Sequence, residues 1–272
     1  MRIALLQMTS GIDPVANAAQ LVAAIAQAKA GGAAMLFTPE MSGLLDRDRK
    51  RAAANQYPEC GDPVLAAVCA AAKRDGLWVA LGSLAVREGE RLANRSFLID
   101  DQGQIVARYD KIHLFDVDLA TGESWRESSA YQAGNGTVIA NTPIGTLGLS
   151  ICYDIRFPAL YASLSAGGAT ILAIPAAFTV PTGKAHWHVL MQARAIENAA
   201  FVVAAAQSGL HEDGRSTFGH SLVVDPWGEI ILDMGDGAGL GFVDLDLGRV
   251  EDARARIPVI THRRPIAQAV LA

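Results

Sequence analysis

The sequence predicts a layered α/β sandwich, two mixed sheets with helices outside them. Short apolar runs bounded by Gly, Pro or Asp alternate with segments of helical period, as in strand–helix crossovers. Two hairpin patterns interrupt that alternation, so the sheets must be mixed rather than purely parallel. Hydrophobic residues make up 51% of the 272 residues and charged ones 19%, enough for a substantial core in one large unit, read here as residues 1–272.

The elements follow in order. Ile3 to Met8 reads as a short apolar strand. Asp13-Pro14 is an N-cap followed by proline at the first helical position, and Leu21, Val22, Ile25 and Ala28 keep helical spacing up to Gly31-Gly32. Ala33 to Phe37 is a strand suited to burial on both faces, and Thr38-Pro39-Glu40 stands at its end. An Ala-rich helix from about Pro63 to Arg74 leads through Asp75-Gly76 into the strand LWVALG. RSFLID and QIVARY form a hairpin about Asp101-Gln102-Gly103, and Lys111 comes just after it. Asp118 to Gly136 reads as loop. TLGLSI is a strand directly followed by Cys152; a helix over about Pro158–Ala166 and the strand TILAIP come next. The helix AHWHVLMQARAIENAA, the strand FVVAAA, the hairpin HSLVVD-PWG-EIILDM and the strand LGFVDLDL complete the core. The tail after Arg263 is suited to docking elsewhere, on a second subunit among other places. No linker or solenoid repeat is visible.

Bulk properties exclude several classes. The net charge is -5 with no basic stripe, which argues against nucleic acid. No apolar run reaches membrane-spanning length. The apolar start is too short for a signal peptide, so the expected location is the cytoplasm. Cys60, Cys69 and Cys152 form no CxxC pair and suggest no disulfide framework.

Glu40, Lys111 and Cys152 each follow a strand, and ligands of α/β sheets favour the crevice beyond strand carboxyl ends. Their chemistry fits together if they converge. A thiolate splits amide hydrolysis into acyl transfer and hydrolysis. A thiol of pKa roughly 8.5 needs a nearby base or cation at neutral pH. Glu40 can take the thiol proton, pass it to the departing amine and activate water, with a carboxyl pKa raised by a dry pocket. Lys111 supplies charge where the oxyanion forms, and the backbone N–H of Tyr153 is the natural second donor. Taken singly, each has a plainer reading: a buried structural Cys, a loop-end carboxylate, a solvated Lys. Cys69 and Cys60 are read as structural.

The phrases around these residues change the balance. FTPE at Glu40, YDKIHLFD around Lys111 and GLSICYDIRFP around Cys152 resemble the three signatures of the nitrilase superfamily of carbon–nitrogen hydrolases. The resemblance runs from the first strand to about Pro265. It implies a four-layer αββα sandwich, a homodimer or higher homo-oligomer, and no metal or organic cofactor. By position it makes Glu40 the general base, Lys111 the oxyanion stabiliser and Cys152 the nucleophile. Glu127, in GESWRESSAY, matches the family's second glutamate, which orients the lysine.

Within the superfamily, HLFDVDL, AFTVPTGKAHWHVLMQARAIEN, and AAQSGLHEDGRSTFGHSLVVDPWGE with HRRP near the end resemble the amidase branch that holds omega-amidase and deaminated glutathione amidase, with the last two nearer the latter. The implied reaction hydrolyses the amide between 2-oxoglutarate and cysteinylglycine through a thioester. Alternatives are release of ammonia from 2-oxoglutaramate, hydrolysis of an N-carbamoyl compound or nitrile, and an inactive scaffold that keeps the fold. Arg156 matches a substrate-contacting arginine of the branch; its other reading is an ion pair with Asp154 or a neighbour. Phe178 and Thr182 match pocket-wall positions, and Tyr153 lines the same pocket. Lys184 departs from the branch's TGPAHW, which implies a mobile lip loop and a preference for anions. His186 and His188, two apart on a helix, face different ways and give no metal pattern. Arg194 and Glu197 are read as a structural i,i+3 pair.

Overall fold

In the computed structural model, which describes residues 1–118, 122 and 124–271, the chain forms β1 (Arg2–Gln7), α1 (Pro14–Ala30), β2 (Met35–Phe37), α2 (Arg49–Ala53), α3 (Pro63–Asp75), β3 (Trp78–Glu88), β4 (Arg91–Ile99), β5 (Ile105–Asp110), β6 (Asp116–Asp118), β7 (Ser124–Arg126), β8 (Ile139–Thr142) and β9 (Gly145–Leu149). It continues with α4 (Pro158–Ala166), β10 (Ile171–Ala173), α5 (Val180–Asn198), β11 (Phe201–Ala204), β12 (Ser208–Leu210), β13 (Ser216–Phe218), β14 (Leu222–Val224), β15 (Ile230–Asp233), β16 (Gly239–Asp244) and α6 (Gly248–Arg256).

Local chemistry sets the helix ends. Asp13 accepts from Val15 N at 2.9 Å, and Asp62 accepts from Val64 N and Leu65 N at 2.9 Å each, caps of about 0.5–2 kcal/mol. Each is followed by proline at the first helical position. Gly76, at φ +60°, closes α3 in the left-handed conformation that glycine adopts without strain.

Two six-stranded sheets result, ordered β16-β1-β2-β3-β4-β5 and β15-β14-β11-β10-β9-β8. Each has three parallel strands at its centre, β1, β2 and β3 in one and β9, β10 and β11 in the other, flanked by antiparallel partners. Period-two alternation assigns the layers. Ile3, Leu5, Met35 and Phe37 join Leu147, Leu149, Ile171 and Ala173 in the cluster between the sheets. Ala4, Leu6, Leu36 and Val79 turn the other way, onto Leu21, Ile25, Leu65 and Val68 of α1 and α3. The second sheet is covered by α4 and α5 through Leu160, Tyr161, Leu164, Trp187 and Met191. This is the four-layer αββα sandwich.

Several elements differ from the sequence reading. β3 runs on to Glu88 and pairs with β4 in a hairpin through Gly89; Gly82-Ser83 reads as the strand's end, but the buried Leu84, Ala85 and Val86 continue it past the bulge. The stretch 118–136 is not all loop: β6 pairs with β7, and a 3-10 turn spans Glu127–Ser129. Residues 119–121 and 123 of that expected loop lie outside the described residues. α5 begins at Val180, so Thr182 and Lys184 are helical rather than part of a mobile lip loop; Pro181 in its first turn is a starter, not a breaker. β8, β12, β13, α2 and α6 were not anticipated, being short or polar. Cys60 is exposed rather than buried. In the tail, Arg263 bonds back to Ala162 O, Ser165 Oγ, Glu197 O and Asn198 Oδ1 of its own chain, while Ile266, Val270 and Leu271 stand in solvent. Among the described residues no helix is long and apolar enough to cross a membrane.

One irregularity positions the turn after β2. The β3–β4 register shifts between Leu81 and Leu84, a bulge that frees Gly82 and Ser83 for other partners. Gly82 N donates to Thr38 Oγ1 at 3.0 Å, Ser83 Oγ accepts from Met41 N at 2.9 Å, and Ser83 O accepts from Ser42 N at 3.1 Å. A Cβ on Gly82 would lie 2.1 Å from Thr38 O and 2.3 Å from Pro39 O. Gly82→Ala should therefore push the Glu40 turn away and cost about 1–3 kcal/mol; a lower urea midpoint, with activity falling further than the folded fraction, is the expected result.

Candidate active site

Glu40, Lys111 and Cys152 arrive from three strand ends on two sheets. Glu40 follows β2. Its backbone carbonyl accepts from Gln207 Nε2 at 3.0 Å, and Gln207, fully buried, also donates to Ser10 Oγ at 2.6 Å. Lys111 follows β5 and is tied to β4 by its N–H to Asn94 O at 2.9 Å. Cys152 opens a 3-10 turn (Cys152–Arg156) after β9, with its N–H on Pro175 O at 2.8 Å. Its φ of +48° is a left-handed conformation rare for a residue with a side chain. Such strain persists only where surrounding bonds over-determine it.

Those bonds centre on Asp154, fully buried. Its carboxylate accepts from Ile151 N at 2.9 Å, Tyr109 OH at 2.7 Å and His113 N at 3.0 Å, and meets His113 Nδ1 at 2.7 Å. His113 stacks on Phe157 with centroids 3.6 Å apart. One carboxylate thus fastens the Cys152 turn to the segment that carries Lys111.

The three groups meet in a nearly dry space: Glu40 is 5% exposed, Lys111 2% and Cys152 8%. Lys111 Nζ donates to Glu40 Oε1 at 3.0 Å and to Glu127 Oε2 and Oε1 at 2.9 and 3.2 Å. Glu127, in the 3-10 turn after β7, also accepts from Phe115 N at 2.7 Å. Glu40 Oε2 accepts from Ala177 N at 2.9 Å. Asn94, which sequence reasoning missed, donates from Nδ2 to Glu40 Oε1 at 2.9 Å and to Glu127 Oε1 at 3.1 Å. Its Oδ1 is buried and, among the described residues, unpaired. No sequence signal separates this asparagine from a structural one; only its bridging position does.

Protonation follows from these contacts. Burial pushes the Glu40 carboxyl up, but the Lys111 charge and hydrogen bonds from Cys152, Lys111 and Asn94 outweigh it and hold the group below the usual carboxylate range. This corrects the expectation of a raised pKa: the pocket is dry, but it is not apolar. Burial disfavours the Lys111 ammonium, yet the Glu127 and Glu40 charges raise its pKa well above the ordinary value. Burial, then the Glu40 charge, drive the Cys152 thiol well above its ordinary pKa, against the pull of Lys111. The resting arrangement is thiol, carboxylate and ammonium.

The other site residues divide. Tyr153 sits in the first turn of the 3-10 segment, where amides lack an intrahelical acceptor. The Arg156 guanidinium carbon lies 6.0 Å from the Tyr153 ring centroid and 5.5 Å from that of Phe178, with Nη2 3.4 Å from His186 Nδ1. Among the described residues it has no carboxylate partner, so the expected alternative of an Asp154 ion pair is not what forms. Phe178 is buried against Trp187, centroids 4.9 Å apart. Thr182 uses its hydroxyl at the start of α5, 2.7 Å from Thr179 Oγ1 and 3.3 Å from Thr179 O. Arg194 does pair with Glu197, and also donates to Ile155 O at 2.8 Å. His188 turns to a different partnership from the one spacing could test: His188, His220 and Asp233 bring ligand atoms within 4.8 Å of one another. They come from α5 and both sides of β14, and Asp233 already accepts from both imidazoles.

Because the free thiol is disfavoured chiefly by burial and by Glu40, alkylation of Cys152 by iodoacetamide should keep accelerating as pH rises past 9.0. In Glu40→Gln the negative neighbour is gone while Lys111 remains, so the alkylation midpoint should move to lower pH; stopped-time mass spectrometry reads both.

Residues 2–255 match the family model described as Carbon-nitrogen hydrolase. The chain is 40% identical over 273 residues to the deaminated glutathione amidase of Yersinia enterocolitica, covering 98% of this chain and 94% of that one. Among solved structures it resembles the C. elegans NitFhit protein, with a TM-score of 0.89 and 36% identity over 97% of this chain; it spans 65% of that chain. It also resembles a Glu-to-Gln variant of the amidase from Nesterenkonia sp. AN1, in which acrylamide has added to the active-site cysteine, with a TM-score of 0.80 and 29% identity over 95% of this chain and 98% of that one.

Proposed function

This chain belongs to the carbon–nitrogen hydrolase family, and from that premise we propose that it is a cysteine-dependent amidase whose substrate is deaminated glutathione. The observation that carries the mechanism is one ammonium within hydrogen-bond reach of two carboxylates, buried together with the Cys152 thiol. The observation that carries the substrate is the likeness to curated relatives of that name at 37–47% identity.

Cys152 Sγ attacks the amide carbonyl carbon as its proton passes to Glu40. The oxyanion forms against Lys111 Nζ and the Tyr153 N–H, each donor worth about 10²–10³ in rate. Glu40 then gives its proton to the departing amine as the C–N bond breaks, leaving a thioester. Water loses a proton to Glu40 as it adds to the thioester carbonyl. Collapse breaks the C–S bond, and the leaving sulfur recovers that proton. Glu127 and Asn94 keep Lys111 and Glu40 in register throughout. Addition of acrylamide to the cysteine of the Nesterenkonia variant that lacks the glutamate charge fits a base that restrains the thiolate as well as forming it.

Arg156 is the acyl-side clamp. It presents a planar fork, held between Tyr153 and Phe178 and with no carboxylate partner among the described residues, to the carboxylate of an α-keto acid. Deaminated glutathione, 2-oxoglutaramate, an N-carbamoyl amino acid and a simple nitrile, assayed together, should rank with the first fastest. Arg156→Lys should raise KM for the keto acids about tenfold or more with a smaller change in kcat. Fastest turnover of the nitrile or carbamoyl compound would replace this substrate assignment.

The homo-oligomer belongs to the same proposal. Val189 and Ile196 lie seven residues apart on α5, 67% and 53% exposed, beside the turn that carries Trp227, 57% exposed. That is an apolar face suited to a second copy. Sedimentation velocity should give a dimer or larger species, and Val189→Glu with Ile196→Glu should shift it toward monomer.

A further inference from the structure

The catalytic cluster handles the scissile bond but says nothing of what leaves. Beside it stand two donors with no assigned task. Trp125, two residues before Glu127, keeps Nε1 buried and, among the described residues, without a partner. Leaving such a donor unsatisfied costs about 1–3 kcal/mol, and a native structure that retains one calls for a reason. Over the same ring, 5.2 Å from its centroid, lies the Arg215 guanidinium. The Arg215 side chain is only 19% exposed. Among the described residues its one side-chain hydrogen bond runs from Nε to Asp213 Oδ2 at 2.7 Å, which leaves both Nη groups able to donate.

Asp213 holds this fork rather than consuming it. Its side chain is fully buried and also accepts from Arg47 N at 2.9 Å and Arg215 N at 3.0 Å. The guanidinium is thereby oriented through Nε with its outer edge left open. The location is that of the reaction. The Trp125 ring lies 6.3 Å from Phe115 and Phe115 lies 5.1 Å from Tyr153, the residue after the nucleophile. At the far end of this aromatic run Arg156 sits against Tyr153. The field of Arg215 also reaches Tyr131, together with those of Glu127, Glu40 and Lys111.

We propose that the Arg215 Nη groups and Trp125 Nε1 form an anion subsite for a carboxylate on the leaving amine. The inference rests on the amidase reading above and sharpens it. A cysteinylglycine leaving group carries such a carboxylate and ammonia carries none, so this subsite is what separates the two keto-acid amides as substrates. A guanidinium fork and an indole N–H are both obligate donors and match an oxyanion rather than a carboxamide, whose NH2 end would face further donors.

The test compares deaminated glutathione with the same compound carrying a terminal carboxamide in place of the glycine carboxylate. Wild type should favour the acid by about tenfold or more in kcat/KM, mainly through KM. Arg215→Ala should bring that ratio to about one. Trp125→Phe, which keeps a ring beneath the guanidinium but removes the N–H, should lower it severalfold. A purely structural Arg215–Trp125 stack would depress both substrates alike and leave the ratio intact, which would overturn the subsite, as would a wild type indifferent to the terminal group. If wild type hydrolyses neither compound, the proposed reaction fails by itself. Calorimetric binding of the same pair then decides the subsite: acid preference lost in Arg215→Ala supports it, and preference retained or absent in wild type overturns it.

Discussion

The site depends on a buried ammonium shared by two carboxylates. The Glu127 and Glu40 charges hold the Lys111 proton in place, and the Lys111 charge in turn holds the buried Glu40 carboxyl below its usual range. Removing one member of a buried ion cluster leaves an uncompensated charge, an error costing several kcal/mol. The cluster therefore fixes more than catalysis. Glu127 grips the 111–115 segment through Phe115 N, and Asn94 joins both carboxylates from β4. Secondary elements from both sheets are held at one end by the groups proposed to do the chemistry.

The charge balance also explains why Cys152 rests as a thiol. A thiolate beside Glu40 would add a further negative charge to a dry cavity that already holds two carboxylates around one ammonium. In the proposed mechanism the proton moves from sulfur to Glu40 as the sulfur's charge flows into a carbonyl oxygen facing Lys111. On that proposal Cys152 reacts with a bound carbonyl and rests protonated in its absence.

Geometry is maintained by strain that other bonds hold in place. The left-handed φ of Cys152 is locked by its own N–H on Pro175 O and by Asp154, which collects four donors or partners from two segments. The bulge at Gly82 does the same for the Glu40 turn. Both devices are backbone arrangements that a single substitution could release.

Much of this was legible in the linear sequence. Capping pairs such as Asp13-Pro14, the alternation of Ile3 to Leu6 and the three phrases around Glu40, Lys111 and Cys152 set out the layers and picked out three residues that the fold brings together, because caps, pleat and strand-end placement are local consequences of residue type. What tertiary structure alone decided was electrostatic and long-range. Whether Glu40 is raised or lowered depends on a lysine 71 positions away. Asn94 becomes a bridge, and Trp125 and Arg215 become neighbours, only after sheets and loops close on one another. A pKa or an unsatisfied donor is a property of surroundings, and surroundings built from distant segments leave no trace in local sequence.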